Sequence, residues 1–124
     1  MKILVVDDER DIKALFLQSF RHEIRAGVFE FSFSYSGEEA LTFLKDHDHE
    51  AILILSDINM PGMSGLELLR QVRMNTPTPP PIVMMITAYG DKENLEQAMR
   101  LGANDFLNKP LDFKSLKEKL TKLV

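Results

Sequence analysis

The sequence contains no cysteine, has little excess of charge of either sign, and lacks a long apolar run. Without cysteine, the chain forms neither disulfide bridges nor thiolate metal sites. No stretch approaches the roughly 20 apolar residues of a membrane-spanning helix. With 15 Lys and Arg against 19 Asp and Glu, the formal net charge is −4, which argues against a basic face for direct binding of nucleic acid.

The N-terminus does not resemble a signal peptide, because Met1-Lys2 leads into a short apolar run that Asp7-Asp8-Glu9 closes. We therefore expect a cytoplasmic protein with no membrane association. At 124 residues, with 44% hydrophobic and 27% charged residues, the chain has the size and composition of one globular domain, residues 1–124.

Short apolar segments alternate with segments of helical periodicity, five of each kind. The predicted strands are 3–6, 28–34, 51–55, 82–86 and 105–107. Strict alternation predicts an α/β fold with a parallel sheet and right-handed crossovers. Five such units fit the doubly wound, flavodoxin-like strand order 2-1-3-4-5, in which strands 1 and 3 flank the place where ligands bind.

The helices carry recognisable starts and buried stripes. The first helix is predicted to bury one stripe and to end at Gly27; the stripe comprises Ile12, Leu15, Phe16, Phe20 and Ile24. Capping boxes predict helix starts at Ser36 and Ser64, and Asp91 and Asp112 are predicted N-caps of the fourth and fifth helices. The fifth helix places on one side Phe113, Leu116, Leu120 and Leu123.

Polar residues stand where the predicted strands end. Asp7 and Asp8 follow strand 1, Asp57 follows strand 3, Thr87-Ala88 follows strand 4, and Lys109 follows strand 5. Because the carboxyl ends of parallel strands share one edge, these groups converge. Crowded carboxylates repel one another unless a cation joins them, and Mg²⁺ takes oxygen ligands of this kind. Such a set suits a phosphoryl group beside a metal ion, with a carboxylate that attacks it.

Each residue taken alone also has a plainer interpretation. Asp7 and Asp8 could cap the first helix, Asp57 and Thr87 could be loop residues, and Lys109 could extend along the surface. Their coincidence at four strand ends favours the phosphoryl-accepting site.

The combination of Val5-Val6-Asp7-Asp8-Glu9, residues 57–62 (DINMPG), Thr87-Ala88 and Lys109-Pro110 resembles the receiver domain of two-component response regulators, and the resemblance covers essentially the whole chain. It implies that Asp57 accepts phosphate from a phosphohistidine. It further implies that Asp8, Asp57 and the main-chain carbonyl of Asn59 bind Mg²⁺, with Asp7 reaching it through water. Thr87 and Lys109 would hold the phosphoryl oxygens.

The resemblance also implies a switch. Phe106 stands three residues before the lysine, at the family's aromatic position, and would turn inward as Thr87 moves toward the phosphate. The alternative is that Phe106 is simply core. Asn59, Ala88 and Tyr89 occupy positions that tune the lifetime of the acyl phosphate, and Tyr89 is predicted to shield it from water.

Further expectations follow from the family resemblance. The partners would be a sensor histidine kinase or phosphotransfer protein and a downstream output domain or protein. The face made by the predicted fourth helix, fifth strand and fifth helix would contact the output and could form a homodimer. We expect a switch, not an enzyme, beyond its own Mg²⁺-dependent phosphotransfer and autodephosphorylation. The chain fits either a stand-alone receiver or the N-terminal module of a longer regulator.

Other functional classes fit less well. A Mg²⁺-dependent phosphatase with an aspartyl nucleophile would want an acid two residues after Asp57, where this chain has Asn59. A flavodoxin-like cofactor carrier would need a phosphate-binding loop after strand 1, where Asp7-Asp8-Glu9 repels phosphate. A protein that uses the fold only for contacts would not need the complete set of site residues.

Three remaining features have plain interpretations. The segment 76–81 (TPTPPP) is predicted to be a stiff connecting loop, the alternative being a polyproline ligand. Residues 47–50 (HDHE) are predicted to be a solvated turn, the alternative being a metal site. The last helix is rich in lysine and is predicted to be a solvated face, or else a docking surface.

Overall fold

The computed structural model describes residues 1–47, 52–75, 80–88 and 90–123. In chain order the elements are β1 (Lys2–Val6), α1 (Ile12–Ser19), α2 (Arg21–Arg25), β2 (Glu30–Ser34), α3 (Gly37–Asp46), β3 (Ile52–Asp57), α4 (Gly65–Met74), β4 (Ile82–Ala88), α5 (Lys92–Arg100), β5 (Asp105–Lys109) and α6 (Phe113–Thr121). All strand pairs are parallel, and the order β2-β1-β3-β4-β5 confirms the predicted topology. Within the described ranges, no helix has the length and hydropathy to cross a bilayer.

The sheet separates two apolar clusters, one on each face. Along β1, Leu4 and Val6 belong to the cluster under α3, α4 and α5, whereas Ile3 and Val5 belong to the cluster under α1 and α6. Successive side chains of a strand point to opposite faces, so a strand covered on both faces must be apolar throughout. This explains the continuous apolar runs in the sequence.

The predicted first helix is not continuous. It breaks at Phe20 (φ −109°, ψ 21°) into α1 and α2, so the predicted second to fifth helices are α3 to α6. The rings of Phe16 and Phe20 both contact Phe31 and Phe113, and this aromatic packing accommodates the break. Leu15 was expected in the buried stripe but is 47% exposed, since it lies one residue to the side of Phe16.

Side-chain caps form at the four predicted helix starts. Ser36 accepts from the Glu39 N–H at 3.0 Å, and Ser64 accepts from the Glu67 N–H at 3.2 Å. Asp91 and Asp112 likewise accept main-chain N–H groups of the helices that follow them. The glutamates of the two capping boxes bind elsewhere: the Glu39 carboxylate accepts from the Tyr35 N–H at 2.6 Å, one residue before the cap, and the Glu67 carboxylate binds Arg70.

Several boundaries differ from the predicted ones. The third, fourth and fifth strands extend to Asp57, Ala88 and Lys109. The polar residues expected beyond these strands are thus their last residues, held in the hydrogen-bonded sheet. Leu123 was expected on the buried side of the last helix but is 40% exposed, because α6 ends before it.

Candidate functional site

The carboxyl edge of the sheet gathers the polar residues that were singled out from the sequence. Asp57, Thr87 and Lys109 lie at the ends of β3, β4 and β5, and Asp7 directly follows β1. The main-chain N–H of Asp7 donates to the Ser34 carbonyl at 3.1 Å, so this residue is tied to the end of β2 as well. The hydrogen-bonded main chain of the sheet therefore fixes the positions of these side chains.

Three acidic residues form a cluster at this edge. Asp7 and Asp57 are 3% and 2% exposed, Asp8 is exposed, and each offers a carboxylate oxygen within 4.8 Å of the others. Burial raises the pKa of Asp7 above its ordinary value, the Glu9 N–H lowers it, and the charge of Asp57 raises it again. An oxygen-only donor set of this size and charge fits a divalent cation such as Mg²⁺.

Lys109 lies against the acidic cluster. Its ammonium Nζ donates to Asp57 Oδ2 at 2.5 Å. Burial by itself lowers the pKa of Lys109, but the hydrogen bond and charge of Asp57, with the charges of Asp7 and Glu9, raise it above its ordinary value. Lys109 is consequently a fixed positive charge beside the Asp57 carboxylate.

The loop after β3 turns back toward Asp57. The Asn59 N–H donates to Asp57 Oδ1 at 3.2 Å, and Gly62 adopts the left-handed φ of 74° that the turn requires. Gly65, the first residue of α4, lies so close to β3 that a Cβ there would stand 2.0 Å from the Asp57 carbonyl oxygen. Only glycine fits at this position without displacement of the Asp57 main chain.

Thr87 is the other buried polar residue at the edge. It is 1% exposed, and among the described residues its Oγ1 has no hydrogen-bond partner. A buried hydroxyl without a partner is costly and points to a ligand or an alternative position. Ala88, beside it, is exposed.

Phe106 lies on β5, where the register pairs it with Met85. It therefore shares a face of the sheet with Thr87, two residues further along β4. The side chain is half-buried and so is not part of the fully buried core.

Some predicted features lie wholly or partly outside the described residues. Tyr89 does, as do residues 48–50 and 76–79. His47 stacks on Phe43, and its Nδ1 lies 2.7 Å from the Phe43 carbonyl oxygen. On α6, Lys117 and Lys119 form ion pairs with Glu23 and Asp105.

Two contributors to the site were missed from the sequence. Glu9 donates its N–H to Asp7 Oδ1 at 2.9 Å and adds negative charge near Lys109. Gly65 was seen only as part of a capping box. Its contact with Asp57 depends on how α4 meets β3, which the sequence pattern does not record.

Comparison with known proteins agrees with this geometry. The family model of the response regulator receiver domain matches residues 3–121. The chain belongs to this family. A receiver domain explains both the order of the strands and the acidic cluster at their carboxyl edge, and Mg²⁺ binding is typical of such domains.

Individual relatives differ in length. The chain is 34% identical over 123 residues to the chemotaxis protein CheY-3 of Vibrio cholerae, covering 99% of this chain and 91% of that one. It is 38% identical over 116 residues to the response regulator protein FleR of Pseudomonas aeruginosa, covering 93% of this chain but 23% of FleR. The solved structure of Vibrio cholerae chemotaxis protein CheY4 superposes with a TM-score of 0.81 at 27% identity, covering 99% of this chain and 98% of that one.

Proposed function

We propose that this receiver domain, residues 1–124, accepts a phosphoryl group on Asp57 and acts as a signalling switch. The observation that carries the proposal is the environment of that carboxylate. It is almost fully buried, yet it lies beside two further acids and bonds to Lys109 through one oxygen. A carboxylate placed for structure alone would not be crowded by like charges.

The reaction is the formation of an acyl phosphate. A carboxylate oxygen of Asp57 attacks phosphorus, the bond from phosphorus to the donor breaks, and the donor keeps that electron pair. With a kinase or phosphotransfer protein the broken bond is the N–P bond of a phosphohistidine, whose imidazole takes up a proton. Lys109 holds positive charge beside the group that is transferred, and Thr87 supplies a hydroxyl that has no partner among the described residues.

The acidic residues would hold the metal. Asp8 and Asp57, with the main-chain carbonyl of Asn59, would be the ligands of Mg²⁺, and Asp7 would reach the ion through water. When bound, the ion supplies charge neutralisation for the incoming phosphoryl group. The protein's own groups do the rest: Asp57 attacks, Lys109 orients the phosphoryl oxygens, and buried strands exclude water.

The output partner or domain is proposed to bind the face made by α5, β5 and α6. These are the predicted fourth helix, fifth strand and fifth helix. Phe106 lies on this face, on the same side of the sheet as Thr87. Movement of Thr87 toward a phosphoryl group would free space next to Phe106. The Phe106 ring would then have two arrangements, and phosphorylation would favour the inward one. Such a face would serve a cytoplasmic output partner or domain, or a second copy of the chain, without direct contact of this domain to nucleic acid. Asn59, Ala88 and Tyr89 would set the lifetime of the phosphorylated form.

Intact mass spectrometry tests the proposal. After incubation with MgCl₂ and acetyl phosphate, we expect one phosphoryl adduct that hydroxylamine removes. Asp57→Asn should abolish it, whereas the matched control Asp46→Asn, at the end of α3, should form it as the wild type does. A chelator should suppress the adduct. An adduct that persists in Asp57→Asn would contradict the assignment.

A further inference from the structure

The N-terminus of α3 makes an unusually close contact with the loop that joins β3 to α4. A Cβ built on Gly37 would lie 2.9 Å from both Cγ and Sδ of Met63 and 3.0 Å from its Cβ. Gly37 is buried, and Met63 packs against the apolar cluster under α3, α4 and α5. The methionine side chain therefore occupies the space that any side chain at position 37 would need.

The contact reaches the main chain of the loop. A clash with the end of a methionine can be relieved by rotation about its side-chain bonds, but Met63 Cβ is fixed to the backbone. Two anchors confine the loop already: Asp57 at the end of β3, and the hydrogen bond of 2.8 Å from the Gly65 N–H to the Ile58 carbonyl. A shift at Met63 must then be taken up within residues 59–64, which include the proposed metal-binding carbonyl of Asn59.

We infer that Met63 is a positioning residue for the metal site, and that its packing on Gly37 holds the Asn59 loop in the conformation that binds Mg²⁺. This inference rests on the proposed function. It adds a role for two residues that lie outside the acidic cluster and touch neither the metal nor the phosphoryl group. Residues that orient metal ligands without binding the metal typically affect affinity by about 10-fold or more when changed.

Intrinsic propensity gives the test a clear sign. Alanine is favoured over glycine within a helix, and Gly37 is the first residue of α3, so Gly37→Ala would not destabilise the protein if the space were free. Because Met63 fills that space, the new Cβ should displace the loop and weaken Mg²⁺ binding. The dissociation constant for Mg²⁺ should rise about 10-fold. Met63→Ala should weaken binding as well, since the loop loses its contact, whereas Met63→Leu keeps the volume and should bind as the wild type does.

The experiment combines isothermal titration of MgCl₂ with ¹⁵N NMR of the Asp57 and Asn59 amides and with denaturant unfolding in the absence of metal. Gly37→Ala is measured alone and together with Met63→Ala. We expect the loss caused by Gly37→Ala to be much smaller in the Met63→Ala background. Ala98→Gly, at the buried alanine of α5, is the control: it should lower stability with Mg²⁺ affinity unchanged.

The outcomes separate the two proposals. If the wild type takes up no Mg²⁺, the proposed function fails. If the wild type binds but Gly37→Ala binds equally well, or loses the same factor with and without Met63, the positioning role is overturned. Should Gly37→Ala not fold, the comparison of Met63→Ala with Met63→Leu decides, because equal affinities in these two variants would also overturn it.

Discussion

The two edges of the sheet differ in how their polar groups are paired. At the carboxyl edge, Asp7 and Asp57 are buried beside each other, and the Thr87 hydroxyl lacks a partner among the described residues. At the amino edge of β4 and β5, Arg73 on α4 donates to the carbonyls of Pro81 and Gly102 at 2.8–3.0 Å. The carboxyl edge therefore has clustered negative charge and a hydroxyl without a partner among the described residues. At the amino edge, the Arg73 donors and the carbonyl acceptors bond to each other.

Asn104 completes the paired edge. Its Oδ1 accepts from Arg73 Nη2 at 2.9 Å and from the Val83 N–H at 2.8 Å, while its own N–H donates to the Val83 carbonyl at 2.8 Å. Buried polar groups that are fully paired stabilise a fold, whereas groups left unpaired lower stability and are retained where a ligand uses them. The amino edge therefore fits a structural role, whereas the carboxyl edge fits the proposed phosphoryl-accepting site.

The largest effect is expected at the amino edge. Arg73→Met removes the charged donor from the carbonyl of the buried Pro81 and breaks the bonds that tie α4 to Gly102 and Asn104, so the free energy of unfolding should fall by about 2–4 kcal/mol. Urea denaturation measures this. Arg70→Met, one turn earlier on α4, removes an exposed pair with Glu67 and should change stability little. The Asp57 adduct should still form in folded Arg73→Met protein; its loss there would show that the two edges are not separate.

At the carboxyl edge, removal of a charged side chain should raise the free energy of unfolding. Asp7→Asn removes a buried charge that lies beside Asp57, and without divalent metal the free energy of unfolding at neutral pH should rise by about 1–3 kcal/mol, the range for a poorly solvated polar group. Mg²⁺ affinity should fall at the same time. Asp8→Asn, at an exposed member of the cluster, should stabilise less. A destabilised Asp7→Asn would mean that this carboxylate is satisfied as it stands.

The pH dependence of Asp7 supplies a second check. Its pKa is raised by folding, so the folded state holds the proton more tightly than the unfolded state does. The stability this contributes is complete below the ordinary aspartate pKa and is lost as pH rises through the raised value. The difference in stability between wild type and Asp7→Asn should therefore widen with rising pH over that interval and then level off.

The sequence predicted the strand order because alternation and continuous apolar runs leave few topologies. It also brought Asp7, Asp57, Thr87 and Lys109 to one edge, since that follows from parallel strands alone. The break at Phe20 was not predictable in this way, because the periodicity over α1 and α2 is helical throughout and does not record that the Phe20 ring packs against Phe31 and Phe113.

The close contacts made at two glycines could not be predicted from the sequence either. Gly37 and Gly65 read as ordinary helix-start residues, yet one packs against Met63 and the other against the Asp57 carbonyl. Both contacts depend on the distance between elements that are remote in sequence. The Arg73 network is hidden for the same reason, as its acceptors lie 8–31 residues further along the chain.

The smallest expected change in stability comes from Thr87→Val. This variant tests the comparison of the two edges at a single atom, the Thr87 Oγ1. Thr87→Val replaces a buried hydroxyl that has no described partner by a methyl group of similar size, so stability should rise slightly, by about 1 kcal/mol or less. Thr42→Val is the matched control: its Oγ1 donates to the Glu38 carbonyl at 3.2 Å, and the exchange should not stabilise. In the mass assay Thr87→Val should form the Asp57 adduct more slowly, whereas Thr42→Val should not differ from wild type. A Thr87→Val protein that loses stability but keeps its phosphorylation rate would show a hydroxyl engaged in the fold and not reserved for the phosphoryl group.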